Sequence, residues 1–338
     1  NVAKEISKSI KKFKIIITKS TVPVTTGDEI EKIISKKVSK KLFSVVSNPE
    51  FLREGDAIRD FTYPDRVVIG THNKKSNKIL KNLYSPLISK GAKYVNTSRR
   101  AAELIKYASN AFLATKITFI NELANLCEKI NVNIEDISIG MGLDNRIGSR
   151  FLQAGIGFGG GCLPKDIRAF MARAEELGAK QAVEFLKEID AINLRARQRI
   201  IELVRKDLSN DLTGKKIAVL GAAFKPDSDD VRDSPALDIS AQIQAAGAIV
   251  TVHDPKAIAN AQKRFPGLNY AQEINETLKD AELVLHLTEW KIYQEINPAQ
   301  IKSLVKSAII IDGRNALDRD AWRAAGWKFR ALGRTNHE

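Results

Sequence analysis

Apolar residues recur along the first hundred positions with two different spacings. Segments with apolar residues three or four positions apart predict amphipathic helices, and short β-branched runs ending in polar residues predict strands. The helical segments are NVAKEISKSIKKF (1–13) and GDEIEKIISKKV (27–38), and the strands are KIIITKST (14–21), LFSVVSNPEF (42–51) and DRVVIG (65–70). Strands that alternate with helices predict a parallel, doubly wound sheet.

The pattern changes at residue 101. AAELIKYASNAFLATKITFINELANLCEKI (101–130) contains no Gly or Pro and is apolar around most of its circumference, which predicts one long, largely buried helix. Helical periodicity resumes over 190–208, after a glycine-rich loop. A second α/β unit begins at Thr213, with strands predicted in TGKKIAVLGAAF (213–224), AIVTVHDP (248–255), AELVLHLTEW (281–290) and AIIIDGRNAL (308–317), and a helix in SPALDISAQIQAAG (234–247).

This layout predicts an α/β protein with two Rossmann-like doubly wound domains joined by a long central helix and a helical middle domain. We expect the first Rossmann-like domain over residues 1–97, the helical middle domain over 98–210 and the second Rossmann-like domain over 211–338. The first domain begins on a helix without a G-x-G-x-x-G turn, so the first half of that domain is expected to be missing from the sequence. The spacing from Gly221 to Asp254 resembles a dinucleotide-binding unit, although GAAFKPD lacks the second glycine.

Composition narrows the class of protein. The 338 residues carry a formal net charge of +14, which suggests an anionic partner. The basic residues are not interspersed with aromatic residues that could stack on bases, and there is no zinc-finger or RNP-like pattern. The charge is therefore better explained by solvated basic faces and phosphate-binding pockets than by nucleic acid binding. No apolar run is long enough to span a membrane, and two cysteines without a signal sequence favour the cytoplasm. No metal is expected, because the histidines have no ligand spacing; they are His72, His253, His286 and His337.

Cys162 is the first candidate for chemistry. It stands between the glycine run of GFGGGCLPKD (157–166) and Pro164, which is suited to be the first residue of a helix. A helix N-terminus and nearby Lys165 would both favour the thiolate, so the setting is that of a nucleophile. The alternative is a small buried residue in a tight turn, and this is the interpretation favoured for Cys127 on the long apolar helix.

Polar residues on the long helix provide a second candidate. Lys106 and Asn110 are four residues apart and project from one face, which Ile117 and Asn121 continue. A buried lysine is either a functional group or the partner of an acid, whereas a lysine that reaches solvent is the alternative.

Two acids follow a predicted strand in SNPEFLREGDAIRD (47–60). Glu50 and Glu54 are four residues apart, near the carboxyl edge of the sheet, where ligands bind in doubly wound folds. Acids in the first turn of a helix are also ordinary capping groups, so this motif alone is ambiguous.

Six stretches, in one order along nearly the whole chain, resemble the UDP-glucose/GDP-mannose dehydrogenase family. They are TKSTVPVTTGD (18–28), SNPEFLREGDAIRDFTYPDRVVIG (47–70), AAELIKYASNAFLATKITFINEL (101–123), GSRFLQAGIGFGGGCLPKD (148–166), GAAFKPDSDDVRDSPAL (221–237) and IDGRNAL (311–317). The resemblance implies the oxidation of UDP-glucose to UDP-glucuronate with two NAD molecules. Cys162 would add to the aldehyde to give a thiohemiacetal, whose oxidation leaves a thioester for water to hydrolyse.

The resemblance also assigns roles to other residues. Lys106 would stabilise the oxyanion at the sugar C6, and Asn110 would help to hold that oxygen. Thr21 would position a water that assists proton removal, Glu50 would take part in thioester hydrolysis, and Asp166 would order the same water network. The implied NAD contacts are Thr21, Glu54, Lys165 and Arg232. The implied UDP-sugar contacts are Glu50, Phe51, Leu52, Lys106, Asn110, Ile117, Arg150, Phe151, Gly157, Phe158, Gly159, Phe224, Lys225 and Arg314.

Alternatives remain open at this point. The substrate could be GDP-mannose or a UDP-N-acetylhexosamine, and Lys225, Arg314 or Arg150 could be plain surface charges. Without the phosphate-binding turn, the sequence is expected to bind NAD poorly and could be a non-catalytic sugar-nucleotide-binding remnant. The set of Cys162 and its companions argues against a remnant, because a binding protein needs no nucleophile. The apolar face of the long helix predicts a homodimer formed through it.

Overall fold

The computed structural model describes residues 1–334 and contains the alternating helices and strands that the sequence predicts. In the first part of the chain they are α1 (Val2–Ser9), β1 (Lys14–Thr18), α2 (Thr26–Ser35), β2 (Phe43–Ser47), α3 (Ala57–Thr62), β3 (Arg66–Gly70), α4 (Lys74–Leu83), α5 (Ser85–Ser89), β4 (Lys93–Thr97), α6 (Arg99–Ile130), α7 (Ile134–Gly142), α8 (Leu163–Glu176), a 3₁₀ turn (Lys180–Val183) and α9 (Phe185–Asp207). The remainder consists of β5 (Lys216–Leu220), α10 (Pro235–Ala245), β6 (Ile249–His253), α11 (Ile258–Arg264), β7 (Asn269–Tyr270), α12 (Ile274–Leu278), β8 (Leu283–His286), α13 (Lys291–Gln294), α14 (Pro298–Ile301), β9 (Ile309–Asp312), α15 (Arg319–Ala324) and β10 (Lys328–Ala331).

The chain divides into two compact units. The first consists of Asn1–Ala111 and Asp166–Val183, and the second of Phe112–Lys165 and the chain from Glu184 onward. Long helices take part in both, since α6 and α8 each begin in one unit and end in the other.

The first unit contains a four-stranded sheet in the order β1-β2-β3-β4. Strands β1 and β2 are parallel, with Lys14 opposite Phe43, and β3 and β4 are also parallel. The expectation of a wholly parallel sheet is wrong at one place, because β2 and β3 meet in an antiparallel pair at Ser47 and Gly70. All five residues of β2 are buried, including Ser44 and Ser47, so the strand has no solvent-facing side and its sequence does not alternate strictly between apolar and polar residues.

The second unit contains a six-stranded parallel sheet in the order β10-β9-β8-β5-β6-β7. This is the Rossmann strand order, in which successive strands are added on one side from β5 to β7 and on the other side from β8 to β10, so that the strand order reverses between β5 and β8. Buried side chains of α9, α10 and the central strands of this sheet form one hydrophobic core. The reversal point matters because ligands bind beyond the carboxyl ends of the strands at that place.

The helices and strands that the sequence predicts are mostly confirmed, with shifts at their ends. The long helix begins at Arg99, two residues before the predicted start, and runs to Ile130 as predicted. Strands β4, β7 and β10 were not predicted. Each is short or carries exposed polar residues, so its apolar pattern is weak. Within residues 1–334, no helix combines the length and hydropathy needed to cross a membrane.

Candidate active site

Three polar side chains are buried along one face of α6 in the first unit. Glu103, Lys106 and Asn110 are 3%, 5% and 8% exposed. Their spacing of three and four residues places them one above the other on the helix. A buried polar or charged group without a partner costs free energy, so the partners of these three side chains indicate the function of this helix face.

Lys106 is paired with an acid, as one of the two interpretations of the sequence requires. Its Nζ lies 3.4 Å from Oε1 of Glu50 and 5.4 Å from the centre of the Phe51 ring. The other carboxylate oxygen of Glu50 accepts a hydrogen bond from the backbone N–H of Leu52 at 2.7 Å, which fixes the turn after β2. The alternative of a lysine that reaches solvent is wrong, because only 5% of Lys106 is exposed.

Asn110 is joined to the start of α8. Its Nδ2 donates to Oδ2 of Asp166 at 2.6 Å, and Asp166 is buried in the first turn of that helix, where the helix dipole favours a negative charge. Tyr107 lies beside this pair, with its ring 5.9 Å from that of Phe170. Burial, followed by the negative charges of Asp166 and Glu103, raises the pKa of Tyr107 to about 12, so the phenol is neutral at physiological pH.

Glu103 was not predicted, and it organises the loop that follows β1. Its Oε2 accepts from the backbone N–H of Thr25 at 2.7 Å, and its Oε1 accepts from the N–H of Gly27 at 2.9 Å and from Oγ of Ser47 at 3.0 Å. The carboxylate thus lies at the N-terminus of α2, where backbone N–H groups have no partner within the helix. The signal in the sequence was its position three residues before Lys106.

The loop between β1 and α2 borders a small pocket in the first unit. Its lining residues are Thr18, Ser20, Thr21, Val22, Ser47, Pro49, Glu103 and Lys106, and the space holds about one water molecule. Arg173 of α8 fastens the far side of the loop: its Nε donates to the carbonyl oxygen of Val24 at 3.0 Å and its Nη2 contacts Oγ1 of Thr25. Helices α6 and α8 therefore both hold the segment that contains Thr21.

Lys19, just before this pocket, is a second lysine near the same acid. Its Nζ donates to Oδ1 of Asn48 at 3.1 Å. Burial lowers the pKa of Lys19, and the negative charge of Glu50 opposes part of that shift.

Cys162 lies in the second unit, immediately before α8, and its side chain is exposed. Helix α8 begins at Leu163, so Pro164 is the second residue of the helix rather than the first. Cys127 is buried within α6, and burial raises the pKa of its thiol, as expected for a structural cysteine. Of the two thiols, only Cys162 is accessible to a substrate.

The glycine run before Cys162 is held in place, although glycine-rich composition alone is typical of a flexible segment. Gly157, Phe158, Gly159 and Gly160 are all buried. A Cβ at Gly159 would lie 2.2 Å from the carbonyl oxygen of Asp233, and one at Gly160 would lie 2.7 Å from the Phe224 ring. The glycines are required for close packing against neighbouring backbone as well as for conformational freedom.

Side chains from two helices grip the same loop. Oδ1 of Asn121 on α6 accepts from the N–H of Gly155 at 2.8 Å. Asn193 on α9 accepts from the N–H of Phe158 at 2.8 Å and donates to its carbonyl oxygen at 3.0 Å. Neither contact was predicted, because no local pattern indicates which buried asparagine faces a distant loop.

Arg314 follows β9, near the point between β5 and β8 where the strand order of the second sheet reverses. Its guanidinium donates to the backbone carbonyl oxygens of Leu287 at 2.8 Å, Phe224 at 3.0 Å and Gly157 at 3.2 Å. The alternative of a plain surface charge is therefore wrong for Arg314. It joins three loops at the carboxyl edge of the strands, which include two of the predicted contact residues.

Asp254 has a structural function in this domain. Its Oδ2 accepts from the N–H groups of Ala222 and Ala223 at 2.8 and 2.9 Å and from Nε1 of Trp290 at 3.1 Å. The carboxylate that would meet a ribose in a dinucleotide-binding unit thus closes the Gly221 turn instead. The spacing from Gly221 to Asp254 does not indicate a second NAD site.

Comparison with known proteins identifies the family. Residues 1–88 match the NAD binding domain of the UDP-glucose/GDP-mannose dehydrogenase family, residues 100–195 its central domain and residues 218–319 its UDP binding domain. The chain belongs to this family. It is therefore an NAD-dependent nucleotide-sugar dehydrogenase with an NAD-binding and a UDP-binding domain.

The relatives of this dehydrogenase are similar over nearly its whole length. It is 43% identical over 334 residues to UDP-glucose 6-dehydrogenase of Rhizobium meliloti, a match that covers 98% of this chain and 76% of the relative. It is 41% identical to UDP-glucose 6-dehydrogenase YwqF of Bacillus subtilis, over 98% and 74% of the two chains. The solved structure of a UDP-glucose dehydrogenase from Pyrobaculum islandicum has 33% identity and a TM-score of 0.87, over 98% of this chain and 73% of that one.

The other predicted site residues of the dehydrogenase are distributed between the two units. In the first unit Leu52 is exposed, while Phe51 and Glu54 are half-buried. In the second unit Arg150, Phe151, Lys165 and Arg232 are exposed, and Ile117 and Lys225 are half-buried. Arg232 donates to both carboxylate oxygens of Asp230. In residues 1–334 no three potential ligands are grouped to hold a metal ion, and His337 lies outside the described residues.

Proposed function

We propose that this dehydrogenase oxidises UDP-glucose to UDP-glucuronate. The observation that carries the proposal is the pairing of Lys106 with Glu50 and of Asn110 with Asp166, at buried positions of one helix face. Asp166 itself is four residues after the exposed Cys162. The names of relatives that are more than 40% identical over nearly the whole chain support UDP-glucose as the substrate.

The chemistry requires a nucleophile as well as a hydride acceptor. NAD, when bound, accepts one hydride in each of two oxidations. The first oxidation converts the C6 alcohol to an aldehyde, and the thiolate of Cys162 then adds to the aldehyde carbon. Loss of the second hydride from that adduct leaves a thioester, and water releases the carboxylate and restores the thiol. In total, one alcohol, one water and two oxidised cofactors yield one carboxylate, two reduced cofactors and three protons.

The side chains of the first unit supply charge and protons for these steps. Lys106 would stabilise the negative oxygen at C6, and Asn110 would donate a hydrogen bond to it. Glu50 would assist the water that attacks the thioester, and Asp166 would order that water. Thr21 would hold the water that assists the first proton removal. The pocket that Thr21 and Lys106 line has room for about one such molecule, which fits this assignment.

The carboxyl edge of the first sheet is suited to the nicotinamide end of NAD. Strands β1 and β2 end at Thr18 and Ser47, and both residues line the pocket beside Thr21. Ligands of doubly wound sheets bind at this edge. Thr21, Glu54, Lys165 and Arg232 would contact the cofactor.

The second sheet is suited to the UDP group. Its reversal point between β5 and β8 is bordered by Phe224, Lys225 and Leu287, and the guanidinium of Arg314 joins the loops there. We propose that Phe224, Lys225 and Arg314, with the backbone of the loop over Gly157–Gly159, bind the nucleotide sugar. Measured turnover with UDP-glucose, GDP-mannose and UDP-N-acetylhexosamines would identify the substrate, and we expect UDP-glucose to have the highest kcat/KM.

Cys162→Ser provides the decisive test of the thiol. We expect the variant to bind UDP-glucose in calorimetry within about threefold of the wild-type Kd and to form no uronic acid, because a serine hydroxyl is a far weaker nucleophile. Cys127→Ala is the control, and it should retain acid formation, because that thiol is buried away from substrate. Normal yield of uronic acid from Cys162→Ser would refute the assigned role.

We also propose a cytoplasmic homodimer formed through α6. Phe112, Phe119 and Leu126 are spaced seven residues apart on this helix, and all three are exposed. A stripe with this period is typical of a helix that packs against another helix. A second copy of the chain is the proposed partner, because exposed large apolar side chains in a line are costly in water.

A further inference from the structure

Asn193 grips the backbone four residues before Cys162. Its side-chain amide makes both possible hydrogen bonds to Phe158, accepting from the N–H at 2.8 Å and donating to the carbonyl oxygen at 3.0 Å. Asn193 is 2% exposed, so water does not compete for these bonds. A helical side chain thus takes the place of a neighbouring strand for this one residue of the loop.

Arg197 lies one turn further along α9 and also contacts this loop and its neighbouring segment. Its Nη2 lies 3.5 Å from the carbonyl oxygen of Phe158 and 3.0 Å from Oδ1 of Asp233, and its Nη1 donates to Oδ2 of Asp238 at 3.0 Å. Arg197 is 4% exposed. A buried guanidinium between two acids is expensive to displace, because removal of one partner leaves a buried charge.

The segment that Arg197 holds lies directly on the glycines between Phe158 and Cys162. The N–H of Gly160 donates to the carbonyl oxygen of Arg232 at 2.9 Å, and a Cβ at Gly161 would lie 2.4 Å from Cζ of Arg232. The loop is therefore enclosed between α9 on one side and the segment around Asp233 on the other. Asn193 therefore holds the glycine loop at Phe158, and Arg197 holds the segment around Asp233 that packs against it.

We propose that Asn193 is a positioning residue for Cys162, and that Arg197 locks the covering segment in place around it. The thiol can add to an aldehyde only when its sulfur is held within bonding distance of C6, and a loop of five glycines in seven residues has no rigidity of its own. The grip of Asn193 supplies that rigidity. This inference rests on the proposed oxidation through Cys162.

The ratio of products tests the proposal without depending on the amount of active enzyme. Wild-type enzyme should form two NADH per uronic acid. Asn193→Ala should complete the first oxidation but capture the aldehyde poorly, so the ratio should rise clearly above two and aldehyde should be trapped by added hydroxylamine. The kcat for uronic acid should fall at least tenfold. Simple loss of folded protein would lower both products equally and leave the ratio unchanged.

Ile243→Ala is the control for stability, because Ile243 is fully buried in α10 of the same unit, where the change leaves a cavity. It should reduce the thermal midpoint and leave the ratio at two. If Asn193→Ala yields too little folded protein, Asn193→Asp keeps the acceptor for the Phe158 N–H and loses the donor, and it should also raise the ratio. A ratio of two in a folded Asn193 variant would overturn the proposal.

A measurement without turnover separates the failure of this inference from failure of the proposed function. Amide hydrogen exchange of the peptide over residues 155–162 should be at least tenfold faster in Asn193→Ala than in the wild type and unchanged in Ile243→Ala. Unchanged exchange would overturn the positioning role, even if the wild type oxidises UDP-glucose. Faster exchange in a protein whose wild type oxidises no nucleotide sugar would refute only the proposed function and leave the grip on the loop established.

Discussion

Replacement of Glu103 by Gln tests whether one buried carboxylate holds the loop that contains Thr21. The carboxylate accepts three hydrogen bonds, from the N–H groups of Thr25 and Gly27 and from Oγ of Ser47, at 2.7 to 3.0 Å. Gln has the same shape but carries one oxygen and one NH₂ group. Whichever way the amide faces, at least one donor of the loop then meets another donor.

The magnitude follows from these contacts. A buried N–H left without a partner costs about 1–3 kcal/mol, and the bonds that remain lose the extra strength of a charged acceptor, about 1 kcal/mol each. Loss of the negative charge at the N-terminus of α2 adds about 0.5 kcal/mol. We therefore expect Glu103→Gln to destabilise the closed loop by about 3 kcal/mol, which corresponds to an opening equilibrium roughly 150-fold larger.

Amide hydrogen exchange of the Thr25 and Gly27 region measures this opening directly. Glu29→Gln is the matched control, because Glu29 is in the first turn of the same helix but is exposed. Its ion pair with Arg173 is 3.7 Å long, and its loss should cost less than about 1 kcal/mol. If exchange in Glu103→Gln matches that in Glu29→Gln, the carboxylate does not hold the loop and the reasoning about the buried α6 face is wrong.

Two further predictions concern the second unit. Asp312 accepts from Nδ1 of His286 at 2.7 Å and from the N–H groups of Arg314, Ala316 and Leu317. Asp312→Asn should therefore destabilise the unit by about 3–5 kcal/mol and weaken UDP binding in calorimetry. The control Asp318→Asn, at the exposed N-cap of α15, should cost less than about 1 kcal/mol, because Asn caps a helix about as well as Asp. Although full burial acts to raise it, the pKa of Asp312 is lowered overall by His286 and these backbone N–H groups, so its contribution to stability is present above about pH 4 and is lost on further acidification. The thermal midpoint of the variant should consequently fall less than that of the wild type below pH 4, and an equal fall would contradict the assignment. For the homodimer, light scattering should give twice the chain mass for the wild type and for the control Leu177→Glu but a monomer for Phe119→Glu, and a dimer that survives Phe119→Glu would exclude this face of α6.

Local patterns were sufficient to predict the fold class and the buried polar face of α6. The long helix lacks Gly and Pro from Ala101 to Ile130, and the predicted strands are rich in buried β-branched and other apolar residues, so both signals are strong and these elements form close to where they are expected. Lys106 and Asn110 were found because a spacing of four residues places polar groups on one face of an apolar helix. The roles proposed for Cys162 and its companions came from the resemblance of six motifs to a known family, and the family match confirms that resemblance.

The contacts that hold the loops could not be predicted in the same way. Glu103, Asn193 and Asp254 each bond to backbone groups more than thirty residues away in sequence. A buried Asn or Glu in a helical pattern carries no information about which loop faces it, because that depends on tertiary packing. The glycine run before Cys162 shows the consequence, since its composition indicates flexibility while its surroundings remove it.

The two loops that contain the proposed catalytic groups Thr21 and Cys162 are held in the same way. In the first unit the segment with Thr21 is held by Glu103 of α6, and in the second the segment before Cys162 is held by Asn193 of α9. Each loop is restrained by hydrogen bonds to a side chain of a long helix, and that helix is fixed in turn by its buried face. When a catalytic group is already held in position before the substrate binds, none of the substrate's binding free energy is needed to order it. Substitutions at Glu103 and Asn193 should therefore lower kcat much more than they weaken nucleotide-sugar binding, although neither side chain is assigned a contact with the substrate.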